Sequence, residues 1–255
     1  DHVDNGFTAG LSDWDNLAPG GHFGWGAVHE LITPAQAGRA WFLGMMLARA
    51  AIGRVRCGTD RNVCLTGDRR QTGMSVLPGI GDRQECLSYR ARGGTVAVFD
   101  PDGRLYPPAV AAAGLPLERV LFVRTRSPAE QLWALRECLR CKGITAAVAA
   151  VGQLSRLEAR RLQLAAESGG GAGLFLREVN TSPRADIYAA ATRWLVSAAP
   201  GDRALQRWQI QLVHGHGGRV GQSVCVEVCR ETGLVRAAAQ LADRSHTASA
   251  QRAIA

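Results

Sequence analysis

Between residues 95 and 176 apolar strands alternate regularly with amphipathic helices, and this constrains the fold more than any other feature of the chain. Strands are predicted at 95–99, 120–124, 144–151 and 174–176, and helices at 107–113, 128–141 and 154–167. Such strands, joined by short helical connections, form a mainly parallel sheet covered on both faces. The sequence therefore predicts an α/β fold. In the helix at 154–167, the residues expected to face the core are Leu154, Leu157, Leu162 and Ala165.

After residue 180 the hydrophobic pattern changes to period two. Three segments, 192–196, 207–213 and 223–228, are predicted as antiparallel strands, with a Gly-rich turn at 214–221 joining the last two. The domain prediction comprises three parts: an N-terminal arm at 1–26, a core at 27–229 that contains an inserted surface loop at 54–94, and a C-terminal tail at 230–255. The tail fits a docking helix and a disordered end equally well.

Composition narrows the class of protein without fixing its function. Of the residues, 46% are hydrophobic and 20% charged, as in soluble globular domains. No apolar run approaches the length of a membrane span, and no signal peptide is visible. The net charge of +8 permits nucleic acid or an acidic protein as partner but requires neither. The seven cysteines favour reduced thiols in a cytoplasm. Cys57, Cys64 and Cys86 fit no standard zinc spacing.

Residues 27–42 have the layout of a nucleotide-binding turn, with a strand at 28–32, a turn at 33–37 and a helix at 40–52. A phosphate-binding loop has the pattern G-x-x-x-x-G-K-[ST] at this point. Aligned on Gly38, the pattern places Thr33 at the first glycine, Arg39 at the lysine and Ala40 at the hydroxyl residue, with Pro34 inside the turn. Ala40 offers no oxygen to magnesium. An ordinary strand-to-helix connection is the alternative, and the downstream pattern decides between them.

Short motifs in a fixed order carry a resemblance to a known family. Residues 97–116 resemble the RecA segment that holds the catalytic glutamate, with Asp102 at its position. The phrases at 159–167 and 190–194, together with the first strand at 24–30, resemble the ImuA proteins, which are RecA-like members of the bacterial inducible mutagenesis apparatus. The resemblance runs from about residue 18 to residue 229.

This resemblance implies a RecA-like P-loop NTPase fold in a cytoplasmic protein induced by the SOS response to DNA damage. It implies work in translesion DNA synthesis, a branch of DNA repair, beside a Y-family-like polymerase relative, an error-prone replicative-type polymerase and RecA itself. The strands holding Ile32 and Val151 are then expected to be parallel neighbours. Where an acidic residue should follow Val151 to hold magnesium, the chain has Gly152 and Gln153. Asp102 is one methylene shorter than glutamate.

These departures predict no ATP hydrolysis, no tight nucleotide binding, and neither a cofactor nor a metal. The leading hypothesis is a non-catalytic scaffold. A divergent RecA-class ATPase with an arginine-based phosphate site, using ATP and magnesium and dependent on DNA, is the alternative. A simple nucleic-acid-binding module is a third hypothesis.

In RecA-like cores the loops after the fourth and fifth strands face DNA, and the corresponding stretches here are rich in arginine. The candidate DNA or partner contacts are Arg156, Arg160, Arg161, Arg177, Arg184 and Arg193. An ordinary solvated arginine face explains them equally well. Any DNA binding is expected to be weak, independent of sequence and sensitive to salt.

Other polar residues favour structural roles. Asp100 and Asp102 are expected to cap the loop after their strand. For His29, His214 and His216, a metal site is the weaker interpretation. The helical position of Cys138 and Cys141 favours packing thiols over a redox pair.

Overall fold

A computed structural model describes residues 5–34, 40–53, 94–103, 105–179, 190–201, 203–229 and 235–238. Its centre is a nine-stranded sheet. Six strands of that sheet run parallel: β3 (Val28–Pro34), β4 (Thr95–Phe99), β5 (Val120–Val123), β6 (Ile144–Ala150), β7 (Ala172–Val179) and β8 (Thr192–Ala199). Before β3, two short strands, β1 (Gly6–Phe7) and β2 (Phe23–Gly24), form a separate hairpin around the helix α1 (Ser12–Asp15).

Helices connect the parallel strands as the alternation predicts. They are α2 (Trp41–Gly53), α3 (Pro107–Ala112), α4 (Pro128–Arg140) and α5 (Arg156–Gly169). The predicted α/β class, with a mainly parallel sheet flanked by helices, is confirmed. The inserted loop predicted at 54–94 falls almost entirely outside the described residues, as do most of the C-terminal tail and the first four residues of the arm.

The sheet continues into an antiparallel part formed by β9 (Leu205–Gly215), β10 (Ser223–Cys229) and the short β11 (Val235–Ala237). The predicted hairpin between β9 and β10 is confirmed. The assignment of the first C-terminal strand, β8, needs a correction, because it pairs antiparallel with β9 on one side but parallel with β3 on the other. β8 therefore joins the two parts of the sheet.

The strand order is β11-β10-β9-β8-β3-β7-β6-β4-β5, and it corrects a second expectation. The strand segments predicted to hold Ile32 and Val151 are β3 and β6, which ends at Ala150; they are parallel, as predicted, but they are not neighbours, because β7 lies between them. Ile32 is paired with Arg177 of β7, and Val148 with Leu174 of the same strand. Two strand spacings, about 10 Å, separate β3 from β6.

Both faces of the sheet are packed. On one face α2 buries Leu43 and Leu47, and the N-terminal hairpin adds Trp14 and Phe23 against Trp194 of β8. On the opposite face α4 and α5 cover the sheet with Leu135, Leu139, Leu162 and other apolar residues. Burying a leucine stabilises a fold by about 2 kcal/mol, so these two layers supply most of the drive to fold.

The predicted core stripe of α5 is correct at three positions and wrong at one. Leu154, Leu162 and Ala165 are buried, but Leu157 is 60% exposed. The helix begins only at Arg156, so Leu154 precedes it and does not set its phase. From Leu162, five residues back along a helix of 3.6 residues per turn leads to the opposite face.

The start of α5 is fixed by a capping box. The Ser155 hydroxyl accepts a hydrogen bond from the backbone N–H of Glu158, and the Glu158 carboxylate accepts one from the backbone N–H of Ser155 at 2.8 Å. These Ser155 bonds lower the pKa of Glu158. At the other end, Gly170 adopts a left-handed conformation that ends the helix.

Removing the cap should cost measurable stability. We expect Ser155→Ala to lower the free energy of unfolding by about 1 kcal/mol, because the Glu158 N–H loses its side-chain acceptor. Urea unfolding followed by circular dichroism measures the change. Ser168→Ala, an exposed position in the last turn of α5, is the matched control and should match the parent protein; an equal loss in both variants would contradict the role of the cap.

No helix among the described residues is both long and apolar enough to span a bilayer.

Candidate functional site at the carboxyl edge of the sheet

The parallel strands β3, β4, β5 and β6 all end at one edge of the sheet, where α/β proteins commonly bind ligands. The residues that the sequence singled out at strand ends lie along this edge. Thr33 and Pro34 close β3, Asp100 and Asp102 follow β4, and Gln153 follows β6. The chemistry of the edge therefore depends on what these side chains already contact.

Thr33 belongs to strand β3, and its side chain is hydrogen-bonded within the sheet. Its side chain is buried, and its hydroxyl donates to the backbone carbonyl of Arg177 at 3.3 Å. The predicted turn at 33–37 starts too early, because both Thr33 and Pro34 belong to β3. Extended strand geometry at Thr33 differs from the glycine-type backbone of a phosphate turn.

On the helix side of the turn, Ala40 is buried in the core just before α2, and its carbonyl accepts the first helical bond from the Gly44 N–H at 3.0 Å. Its methyl group packs with the apolar residues beneath α2. Gly38 and Arg39, which complete the predicted vestigial turn, lie outside the described residues.

Asp100 and Asp102 occupy different environments. Asp100 is buried, and its carboxylate accepts a hydrogen bond from the backbone N–H of Leu105 at 2.9 Å, while its carbonyl accepts from the Gly103 N–H at 3.2 Å. The expected capping of the loop after β4 is confirmed for Asp100. Asp102 is exposed in the turn.

A cavity of about 390 Å³ opens beside this loop, between the ends of β4 and β5. It is lined by Asp100, Gly103, Leu105, Tyr106, Pro107, Phe122 and Arg124. Most of this lining is apolar, and Asp100 already accepts the Leu105 N–H. This lining therefore offers a phosphate little polar surface, and its buried carboxylate would repel one.

The end of β6 carries no carboxylate. The Val151 N–H continues the ladder to the Leu176 carbonyl at 3.0 Å, after which Gly152 and Gln153 are exposed. The neighbouring Gln131 side chain donates to the Ala150 carbonyl at 2.7 Å. The last carbonyl of β6 is thus satisfied by an amide.

The predicted arginine contacts separate into three groups. Arg156, Arg160 and Arg161 are exposed on α5. Arg184 lies outside the described residues. Arg177 and Arg193 are only 3% and 4% exposed, which corrects their assignment to a DNA or partner surface. The local sequence could not reveal that these two arginines are buried, because the stretches around them have a composition typical of the boundary between a strand and a loop.

Both buried arginines converge on Glu30, in the middle of β3. The Nε of Arg193 donates to Oε2 of Glu30 at 2.8 Å, and Nη1 of Arg177 lies 3.6 Å from Oε1. The pairing register brings them together, since Glu30 is opposite Arg193 in β8, and Arg177 is in β7 on the other side of β3. Sequence reasoning missed this cluster, and the available signal was an acidic residue inside an otherwise buried strand.

Comparisons with known proteins extend the sequence argument. No protein-family model matches the chain. Curated proteins named Protein ImuA, from two strains of Caulobacter vibrioides, are each 32% identical to it over 160 residues. Over this stretch the chain is similar to those ImuA proteins. The match covers 57% of this chain and 62% of the length of each Caulobacter protein, so the chain spans less than two thirds of those relatives.

The chain holds a second buried polar centre at His29, which sequence reasoning considered only as a weak metal ligand. Its Nδ1 lies 2.8 Å from the Thr192 hydroxyl, and its Nε2 lies 3.0 Å from the Gly24 carbonyl. The ring packs against Phe23 at 5.3 Å and Phe7 at 6.4 Å. Burial lowers the pKa of His29 to about 4, against an ordinary value of 6.5, so the ring is neutral at pH 7.

The remaining histidines and cysteines form no reactive centre within the described ranges. His214, near the end of β9, and His216, just after that strand, pack edge to face at 5.4 Å. Across the described residues no three His, Cys, Asp or Glu side chains are grouped to hold a metal. Cys138 and Cys141 are free thiols, and burial raises the pKa of Cys138, which makes it a poor nucleophile.

Proposed function

We propose that this chain is a non-catalytic, RecA-like accessory protein of SOS-induced, error-prone translesion DNA synthesis. It works in the bacterial cytoplasm as a scaffold for a Y-family-like polymerase relative and an error-prone replicative-type polymerase. The relationship to ImuA supports this role, as does the order of the motifs that resemble that group. Because the chain spans 62% of the Caulobacter proteins, partners that bind their remaining length belong to the proposal only through the shared part.

The RecA-like fold is part of the proposal and has two supports beyond sequence. The parallel sheet carries the expected strand-turn-helix unit at β3 and α2, and Asp102 stands on the loop after β4, where the resemblance puts a catalytic glutamate. The antiparallel strands β9 and β10 extend the sheet beyond β8, as the sequence pattern predicts.

The observation that carries the non-catalytic role is the placement of Thr33 and Ala40. A RecA-like ATPase needs a phosphate cradle, a hydroxyl on magnesium and an acid at the end of the fourth core strand. Here Thr33 is buried with its hydroxyl on the Arg177 carbonyl, Ala40 is a buried methyl group, and β6 leads to Gly152 and Gln153. These residues do not fit magnesium and ATP, so ATP hydrolysis is not part of the proposed function.

Equilibrium binding tests this conclusion directly. The purified chain should show no saturable binding of labelled ATP in the micromolar range, with or without magnesium, because the phosphates find neither cradle nor metal ligand. Arg39→Ala and Asp102→Ala should behave identically to the parent protein. Micromolar affinity, together with hydrolysis that disappears in both variants, would instead establish the divergent ATPase.

The cellular role needs a separate readout. Deleting the gene from its host should abolish the extra mutations that follow ultraviolet damage, and re-expression should restore them. Because nucleotide chemistry is not required in a scaffold, Arg39→Ala and Asp102→Ala should restore mutagenesis as fully as the parent gene. Unchanged mutagenesis in the deletion strain would overturn the proposed role.

A further inference from the structure

The outer face of α5 carries an exposed apolar stripe. Leu157 and Leu164 are 60% and 45% exposed, although both belong to a helix whose opposite face is buried. They are seven residues apart, which is two turns or about 10 Å along one side of the helix. The described elements that α5 contacts most are α4, which covers the same face of the sheet beside it, and the strands β3 and β7 beneath it. Solvating two leucines on one stripe is unfavourable unless something covers them.

Cationic side chains lie between the two leucines. Arg160 and Arg161 fall three and four residues after Leu157, so they occupy the turn that separates it from Leu164. Both are exposed, as is Arg156 at the start of the helix. The aliphatic stems of arginine extend an apolar stripe while their guanidinium groups stay at its rim. Along this face, one leucine is therefore followed by two arginines and then by a second leucine.

The glutamates of α5 are already engaged within the helix. Glu158 accepts hydrogen bonds from the N–H and the hydroxyl of Ser155 at 2.8 and 2.7 Å. Glu167 accepts from the Gln163 amide at 3.0 Å and lies 3.6 Å from Arg160. The groups that α5 offers outward are consequently guanidinium donors, and the complementary partner supplies carboxylates.

These features favour a protein over a nucleic acid. Phosphates gain nothing from two leucines placed in line with the arginines, whereas a partner helix can cover them with apolar side chains. A leucine spacing of seven residues is the repeat with which a second α-helix packs along a helix. A partner helix with apolar residues at that repeat and acidic residues beside them would cover both leucines and meet both arginines.

We propose that the outer face of α5, formed by Arg156, Leu157, Arg160, Arg161 and Leu164, docks an acidic amphipathic helix of a partner protein. The inference rests on the scaffold function, since it locates one surface that such a scaffold uses. It adds the site and the chemistry of the segment that binds there.

A synthetic peptide tests the surface without knowledge of the natural partner. The probe is a fluorescein-labelled helix of about three heptads, with leucine at the packing positions and glutamate at the flanking ones. Fluorescence anisotropy with the full chain should show saturable binding. The double variant Leu157→Gln/Leu164→Gln should weaken binding at least about tenfold, because two buried leucines are lost. Arg160→Glu/Arg161→Glu should weaken it as much and reduce its dependence on salt.

Matched controls come from exposed residues elsewhere in the fold. Leu117→Gln and Arg126→Glu change the same residue types away from α5 and should leave the affinity unchanged. All variants replace exposed side chains, and their circular dichroism spectra should match that of the parent protein. No binding of the acidic peptide to the parent chain, or equal binding by the leucine double variant, would overturn the proposal.

A labelled single-stranded oligonucleotide provides the competing outcome. If it binds, and only the arginine substitutions weaken it, the face contacts nucleic acid and the docking proposal is wrong. That result leaves the scaffold function to its own tests, the ATP titration and the mutagenesis assay, so the two proposals can fail separately.

Discussion

Replacing Glu30 with glutamine is expected to lower the free energy of unfolding by about 3–5 kcal/mol, since it leaves buried guanidinium groups without their carboxylate. Glu30 is 1% exposed, and Arg177 and Arg193 are nearly as buried. Glutamine keeps the shape of the side chain and one acceptor oxygen but removes the negative charge. Both buried guanidinium groups then lose the negative charge that Glu30 supplies.

The register explains why the structure cannot easily relax. β3 lies between β7 and β8, and each neighbour contributes one arginine to the carboxylate. Both arginines are almost fully buried, so moving either guanidinium to solvent requires displacing the residues that cover it. The cost therefore falls on the central strand, whose pairing positions the rest of the sheet.

Urea unfolding of the parent protein and Glu30→Gln measures the difference. Glu137→Gln is the matched control, because Glu137 pairs with Arg136 and Arg140 on the surface of α4, where the side chains are 39–58% exposed. Its loss should be about 0.5 kcal/mol. Breaking a buried ion pair generally costs about 3–5 kcal/mol. If Glu30→Gln lowers the free energy of unfolding by less than about 1 kcal/mol, the Glu30 carboxylate does not stabilise the two buried arginines.

A triple variant separates unpaired charge from lost packing. Replacing Glu30, Arg177 and Arg193 together with leucine, methionine and methionine removes all three charges of this cluster and keeps apolar volume. Such replacements are often neutral or stabilising. We expect the triple variant to be more stable than Glu30→Gln alone.

Much of the fold was predictable because the local pattern determines it. Apolar runs bounded by turn residues gave strands such as 95–99, whose bounds the structure reproduces. The order of the strands was harder, since β7 enters between β3 and β6 only through long-range pairing. Nothing in the residues around Ile32 or Val148 states which strand lies beside them.

Some features of the candidate site are likewise predictable from residue types alone, and others depend on contacts between distant strands. The lost magnesium hydroxyl at Ala40 and the missing acid after β6 are visible in residue types alone. The hydrogen bond from the Thr33 hydroxyl to the Arg177 carbonyl depends on the pairing of two strands that are distant in sequence. Arg177 and Arg193 resembled surface arginines because their partner, Glu30, is more than a hundred residues away in the chain.

His29 gives the second large effect, a loss of stability in mild acid. Gly24 offers only a carbonyl, so Nε2 of His29 carries the proton that it donates. The Thr192 hydroxyl accepts from Nε1 of Trp194 at 2.8 Å, which leaves its own proton for Nδ1 of His29. If Nδ1 of His29 were protonated, its N–H would face the proton of the Thr192 hydroxyl, and two donors would meet among aromatic rings.

The direction of the pH effect follows from the two states. Burial holds the pKa of His29 at about 4 in the folded chain, while the unfolded chain titrates near 6.5. Between these values the unfolded state binds more protons, so stability is complete above pH 6.5 and falls as the pH drops toward 4. Since one pKa unit corresponds to about 1.4 kcal/mol, the full loss is about 3 kcal/mol.

Urea unfolding between pH 7.5 and pH 5 isolates this effect, because most carboxylates stay ionised in that range. The parent protein should lose about 2 kcal/mol over the interval. His29→Gln is less stable at pH 7.5 but should lose much less on acidification, since it has no ring to protonate. His216→Gln, which removes an exposed histidine, should keep the dependence of the parent. If His29→Gln loses as much stability as the parent between pH 7.5 and pH 5, the ring does not control acid stability, and burial does not hold it neutral.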